Sequence, residues 1–109
     1  MEIKINDFEW QVDFINDGDE RLTHKDSECF GITIPADLRI FLSDNMPKSL
    51  RRRIVIHELV HAFLYSYNVS LPSDADAAEE AFCDFIGAYL SKIYKAANKI
   101  MSFYEKGVK

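Results

Sequence analysis

The chain is expected to fold as a single α+β domain, and three observations lead there. Apolar residues alternate with polar ones only within about the first forty positions, which is the period of half-buried strands. The remainder carries two long segments with apolar residues at helical spacing. A chain of 109 residues, 48% hydrophobic and 13% aromatic, has material for one core. The expected architecture is a compact domain over residues 1–109, with a small, mostly antiparallel N-terminal sheet of about three strands packed on two main helices.

Each element has its own signal. Trp10, Val12 and Phe14 alternate with Gln11 and Asp13, and Phe30, Ile32 and Ile34 alternate with Gly31 and Thr33. Asn16-Asp17-Gly18-Asp19 is turn chemistry between them. After Pro35, Leu38–Leu42 is a third strand, and Ser43–Pro47 is a loop that opens a helix with Pro in its first turn. The first helix includes Arg53–Tyr65. Residues Tyr67–Asp74 form a connector, and Ser73-x-x-Asp76 has the spacing of a capping box. The second helix runs on through Ile86, Leu90, Ile93, Ala97 and Ile100, a stripe that belongs to the core. Phe103–Lys109 reads as a fraying terminus that is also placed to cover a small cleft.

The chemistry is concentrated in the first helix. His57-Glu58-Leu59-Val60-His61 sets two imidazoles four residues apart, and at 100° and about 1.5 Å per residue they lie one above the other on a single face. Both rings can then ligate one ion, with Glu58 beside it. This is the H-E-x-x-H arrangement of zinc peptidases, where the Glu is the base for a metal-bound water. As ordinary helix residues, His61 would pack in the core and His57 and Glu58 would be solvated; the apolar neighbours Ile54, Val55, Ile56, Leu59 and Val60 are instead expected to bury the pair, and buried imidazoles and a carboxylate need partners.

A catalytic zinc takes three protein ligands and keeps a fourth position for water. The third is expected from the second helix, where Glu80, Asp84, Gly87 and Ser91 share one face. Glu80 is the candidate ligand. Asp84, one turn later, would accept the second ring N–H of a ligating His, and Gly87 would let the helices approach closely. Glu79, Asp84 itself and Asp76 are the alternatives, while Asp74 and Asp76 also suit the dipole of a helix N-terminus. Cys83 reads as a small buried residue and His24, in a polar stretch, as an exposed residue that is not a ligand. Tyr65, four residues after His61, is the candidate second donor to an oxyanion.

His57-Glu-x-x-His61 followed by Glu80-x-x-x-Asp84-x-Ile86-Gly87-x-x-Leu90 resembles the ImmA/IrrE-type family of small zinc metallopeptidases, within the gluzincins. The resemblance covers roughly residues 30 to 100, with Asp84 standing where the family more often has Asn and Ile86 where it has Phe. It implies a zincin-like fold, bound Zn2+, and hydrolysis of a peptide bond in a protein substrate, such as a repressor or regulator of a phage or mobile element. It also implies that an edge strand over the cleft pairs with extended substrate, a role expected of Leu38–Leu42.

Other function classes are disfavoured. No apolar run of about 18 residues and no basic-then-apolar leader occurs, so neither a membrane span nor a signal peptide is expected, and the expected compartment is the cytoplasm. There Cys29 and Cys83 are expected as free thiols. A net charge of −5 disfavours direct nucleic-acid binding. Lys48, Arg51, Arg52 and Arg53 form a basic run at the start of the first helix, read as a solvated end paired with the acidic start of the second, or else as a surface for an acidic partner. The rival to a peptidase is a regulatory protein-binding module that keeps the zincin fold around a structural or occluded zinc.

Overall fold

The computed structural model describes residues 1–24 and 27–107. Strands β1 (Glu2–Ile5) and β2 (Phe8–Ile15) form a hairpin. A two-residue-deep ribbon of β3 (Thr23–His24) and β4 (Ser27–Glu28) follows, then β5 (Gly31–Ile34) and β6 (Arg39–Ser43), and the helices α1 (Arg51–Ser66) and α2 (Ala75–Gly107). The main sheet has the order β1-β2-β6-β5, antiparallel except where β6 lies parallel to β2. This is the expected α+β layout with one strand more. The signal for β1 is short but clear: Ile3 and Ile5 are buried while Glu2 and Lys4 are exposed, and Asn6 supplies the left-handed turn at φ 57°.

Side-chain direction follows from the register. Val12 lies opposite Ile40, Phe14 opposite Leu42, Leu42 opposite Gly31 and Ile40 opposite Thr33, so these residues share the face covered by the helices. In β5, therefore, the small residues Gly31 and Thr33 face α1, while Ile32 and Ile34 sit on the other face with Phe41. That second face is partly covered by a 3-10 turn, Glu20–Leu22, whose Leu22 is buried. Asp19 caps this turn, and the Arg21 guanidinium and amide hydrogen-bonded to it hold its carboxyl down at about 2.

The core joins Trp10, Val12, Ile40 and Leu42 of the sheet to Val55, Leu59, Ala62 and Phe63 of α1 and to Ile93, Ala97, Ile100 and Tyr104 of α2. The polar groups of the buried Trp10 and Tyr104 have partners. Trp10 Nε1–H donates to Ser66 Oγ at 2.8 Å, and the Tyr104 hydroxyl donates to the Asp44 carbonyl at 2.9 Å while accepting the Met46 N–H at 3.2 Å.

The two helices run antiparallel, with Arg52 Nη1 donating to Asn98 Oδ1 at 2.9 Å near one end and the Tyr67 and Tyr89 rings 4.2 Å apart near the other. About the first three turns of α2, Ala75 to Asp84, consequently run past the end of α1. Several expectations change with this register. The buried stripe is Ile93-Ala97-Ile100-Tyr104, and Leu90 is 54% exposed. Gly87 has nothing near its Cα that a side chain would meet, so it mediates no close helix approach. Phe103 and Tyr104 belong to a docked helix, with Phe103 stacked on Phe14, so the described end of the chain neither frays nor lies over the cleft; Val108 and Lys109 lie outside the described residues. Pro47 sits in a turn before α1, outside its first turn. The side chain that caps α2 is Asp74, whose Oδ2 accepts the Ala77 N–H at 2.9 Å; Ser73 does not. The basic run meets the far half of α2 and not its acidic start, because the antiparallel register brings Arg51 over Tyr104 and Arg52 over Tyr94. No helix among the described residues is long and apolar enough to cross a membrane.

Candidate metal-binding cleft

His57 and His61 emerge from α1 on the side away from the core, both exposed, because Val55, Leu59 and Ala62 take the inward stripe. Their ring centroids are 5.1 Å apart at an interplanar angle of 76°, one turn above the other as the i, i+4 spacing requires. Both line one cavity of about 380 Å³, whose other walls are His24, Cys29, Pro35, Glu58 and the β5 residues Gly31, Ile32 and Thr33. A second cavity of about 380 Å³ adjoins it around His57, Glu58 and Gly31 and extends toward Phe30, Leu50, Arg53 and Ile54.

Glu58 is oriented by the neighbouring strand. It is only 6% exposed, and Thr33 Oγ1 donates to its Oε1 at 2.6 Å. A buried carboxylate without such a partner would be strongly disfavoured, so the hydroxyl offsets part of the cost of placing Glu58 between helix and sheet. Gly31 is required for the same packing: a Cβ there would fall 2.9 Å from Glu58 Cγ and 3.0 Å from Leu42 Cδ2. The alternation that marks β5 as a strand thus also delivers the two small residues that α1 packs against.

The strand over the cleft is β5. Leu38–Leu42, the expected pairing strand, does not take that place, because β6 is inserted between β2 and β5 and its backbone is paired on both sides. The edge of the sheet beside the His pair is Gly31–Ile34. Sheet order is set by which strand finds a parallel partner in β2, and that is not written in any local pattern.

Tyr65 is not brought to the His pair. It lies one turn beyond His61, but it lines a different cavity, with Phe8, Ser66 and Val69, and its ring packs against Phe8 and Trp10 with centroids 6.0 and 6.1 Å away. Glu80 and Asp84 are exposed on α2 and line neither cavity. The helix register explains it. Tyr89 lies beside Tyr67, Glu80 is nine residues further from that point along α2, and His61 is six residues back along α1. Glu80 is therefore roughly 20 Å from the pair along the helix axes. Glu79 and Asp76, on the same overhanging turns, are farther still. Cys83 is exposed, contrary to its expected burial, and both cysteines are free thiols.

His24 is the residue that sequence reasoning sets aside. It is exposed, as expected, but it is not alone: the fold carries it to the cavity of His57 and His61. Nothing local marks it, since it lies 33 positions from the motif in a polar stretch.

No family model, no curated protein and no solved structure matches the chain. The test of a metal site is thus the donor set itself. Two imidazoles at the correct spacing on an open face fit two of the ligands a catalytic zinc takes. A third donor is not yet in place, because among the described residues no three His, Cys, Asp or Glu side chains lie close enough to hold one ion.

Proposed function

We propose that the chain is a zinc-dependent peptidase of the cytoplasm that acts on a protein substrate, with His57 and His61 as metal ligands and Glu58 as the general base. The observation that supports this reading best is the convergence of all three motif residues and a sheet edge on one cavity. The resemblance to ImmA/IrrE-type enzymes makes a repressor or regulator the substrate to try first.

Bound zinc would supply a water of lowered pKa, near 7 in catalytic sites of this kind. The protein's own groups divide the remaining tasks. Glu58 is held by Thr33 with its Oε1 engaged, which leaves Oε2 as the atom to take a proton and return it to a leaving amine. The free side of β5 offers backbone groups of Gly31–Ile34 to an extended peptide, and main-chain pairing there would lay that peptide across the His pair. The cavity lined by Phe30, Leu50 and Ile54 would take an apolar side chain beside the scissile bond.

One observation favours the second reading, a binding module with a zincin fold. A buried Glu58 tied to Thr33 and packed on Gly31 also serves as a structural tether between α1 and β5. The two readings separate on the Glu58→Gln variant. The peptidase reading expects about one zinc per chain in both proteins and a loss of hydrolysis of about 10² to 10⁴ in the variant. Full hydrolysis by Glu58→Gln would remove Glu58 from the chemistry. Zinc bound with no cleavage of any candidate repressor by wild type would favour the binding module.

A further inference from the structure

We infer that the groove between the free edge of β1 and the second half of α2 binds an extended acidic segment of a partner protein, which adds a strand to β1 and sets its carboxylates against Lys92, Lys95 and Lys99. The groove lies at the opposite edge of the sheet from the His pair, so this docking role does not depend on the peptidase reading.

The backbone of β1 is set to receive such a strand. In the order β1-β2-β6-β5 it has a neighbour on one side only. Met1 and Val12 exchange both backbone bonds: the Met1 nitrogen donates to the Val12 carbonyl at 2.7 Å, and the Val12 N–H donates to the Met1 carbonyl at 2.7 Å. Bonded and non-bonded pairs alternate in an antiparallel ladder, so Ile3 with Trp10 and Ile5 with Phe8 are the next bonded pairs. The N–H and C=O groups of Glu2 and Lys4 therefore point away from β2, toward the open side.

The facing wall is positively charged. A cavity of about 220 Å³ separates residues 3–6 from α2, and Lys92, Lys95 and Lys99 line it together with the buried Phe63 of α1. Spacings of three and four residues put the lysines on one helix face, and all three are exposed. Among the described residues no Asp or Glu lines this cavity, and the ion pairs join only Asp19 to Arg21 and Asp13 to Arg39. Lys92 Nζ sits 5.6 Å from the centroid of the Tyr67 ring, which holds that ammonium at the end of the row. Ile3 and Ile5 are buried, which turns Glu2, and Glu9 opposite Lys4, to the outer face of the hairpin and away from the row. The three positive charges thus stay unneutralised in a chain of net charge −5.

An acidic strand uses both walls. Alternate side chains of a strand stand about 7 Å apart, and Lys92 to Lys99 span about 10 Å of helix axis, so two alternating carboxylates can meet the row at once. Main-chain pairing with Glu2 and Lys4 would supply the rest of the affinity. A nucleic acid would use the lysines and leave the strand edge idle, and the net charge opposes it.

The test is fluorescence anisotropy of the full-length protein at low salt with a labelled peptide alternating Glu with Val, beside its Gln-for-Glu counterpart and a labelled DNA duplex. Exposed ion pairs contribute up to about fivefold each, so the Gln peptide is expected to bind at least about 10-fold more weakly than the Glu peptide. The double variant Lys95→Glu with Lys99→Glu is expected to lose about 10-fold or more for the Glu peptide. Both lysines are exposed, so its melting temperature should match that of wild type. Bound peptide should also slow hydrogen exchange of the Lys4 amide by about 10-fold, since that N–H faces the added strand. Equal binding of the two peptides, or binding untouched by the double variant, would overturn the inference. Tighter binding of the duplex would assign the row to nucleic acid instead. Protection of amides in β5 with none at Lys4 would put the peptide on the wrong edge. Absence of any binding would leave the lysines as a guard against strand pairing at that edge, and the inference would fall.

Discussion

The two halves of α2 carry the same helical spacing of apolar residues but meet different surroundings. From Ile93 to Tyr104 the helix lies against α1 and the sheet, and Ile93, Ala97, Ile100 and Tyr104 are each 1% exposed or less. From Ala75 to Asp84 it runs past the end of α1, and Phe82 is 37% exposed. Phe85 marks the boundary at 3%. Amphipathic pattern tells which face of a helix would be buried; the length of the neighbouring helix tells how much of that face is covered. The acidic residues that the motif spacing offers as ligands, Glu79, Glu80 and Asp84, all fall in the uncovered half.

The sharpest way to break this comparison is a pair of truncations measured by urea unfolding. Ile100→Ala is expected to cost about 2–5 kcal/mol, since Ile100 is fully buried between α1 and the sheet. Phe82→Ala removes a larger side chain yet is expected to cost less, about 1–2 kcal/mol, because more than a third of its surface stays in water on folding. Equal costs would mean that the first turns of α2 are packed in solution against something the fold does not supply. Next in size is Asp74→Ala, which deletes the hydrogen bond to the Ala77 N–H. A loss of about 1 kcal/mol is expected if the overhanging turns unfold with the rest, and almost none if they fray independently. Hydrogen exchange of residues 75–84 distinguishes the two. The smallest effect is expected at Arg52→Ala, where an exposed bond to Asn98 and a ring contact with Tyr94 are lost, for about 0.5 kcal/mol.

Much of this is legible in the chain. The alternation at Trp10-Val12-Phe14 and the motif helix require only local periodicity, and both are present as read. The extra strand β1 has a two-apolar alternation of four residues, too short to stand out from chance. The site divides in the same way. His57, Glu58 and His61 are close because a helix turn makes them so. Glu80 and Tyr65 are suggested by spacing along single elements, and spacing within an element carries no information about how far that element is displaced relative to its neighbour.

By itself, then, the sequence determined the class of fold, the helix that carries the motif, and the pairing of two imidazoles on one face, because backbone periodicity acts over four or five residues. Only the tertiary structure decided that β6 is interior and β5 the edge, that Thr33 and Gly31 hold Glu58, that the start of α2 stands clear of the cleft, and that His24 lines the same cavity as the motif. Those outcomes depend on strand order and helix register. Both are set by the packing of the whole core and have no local signature.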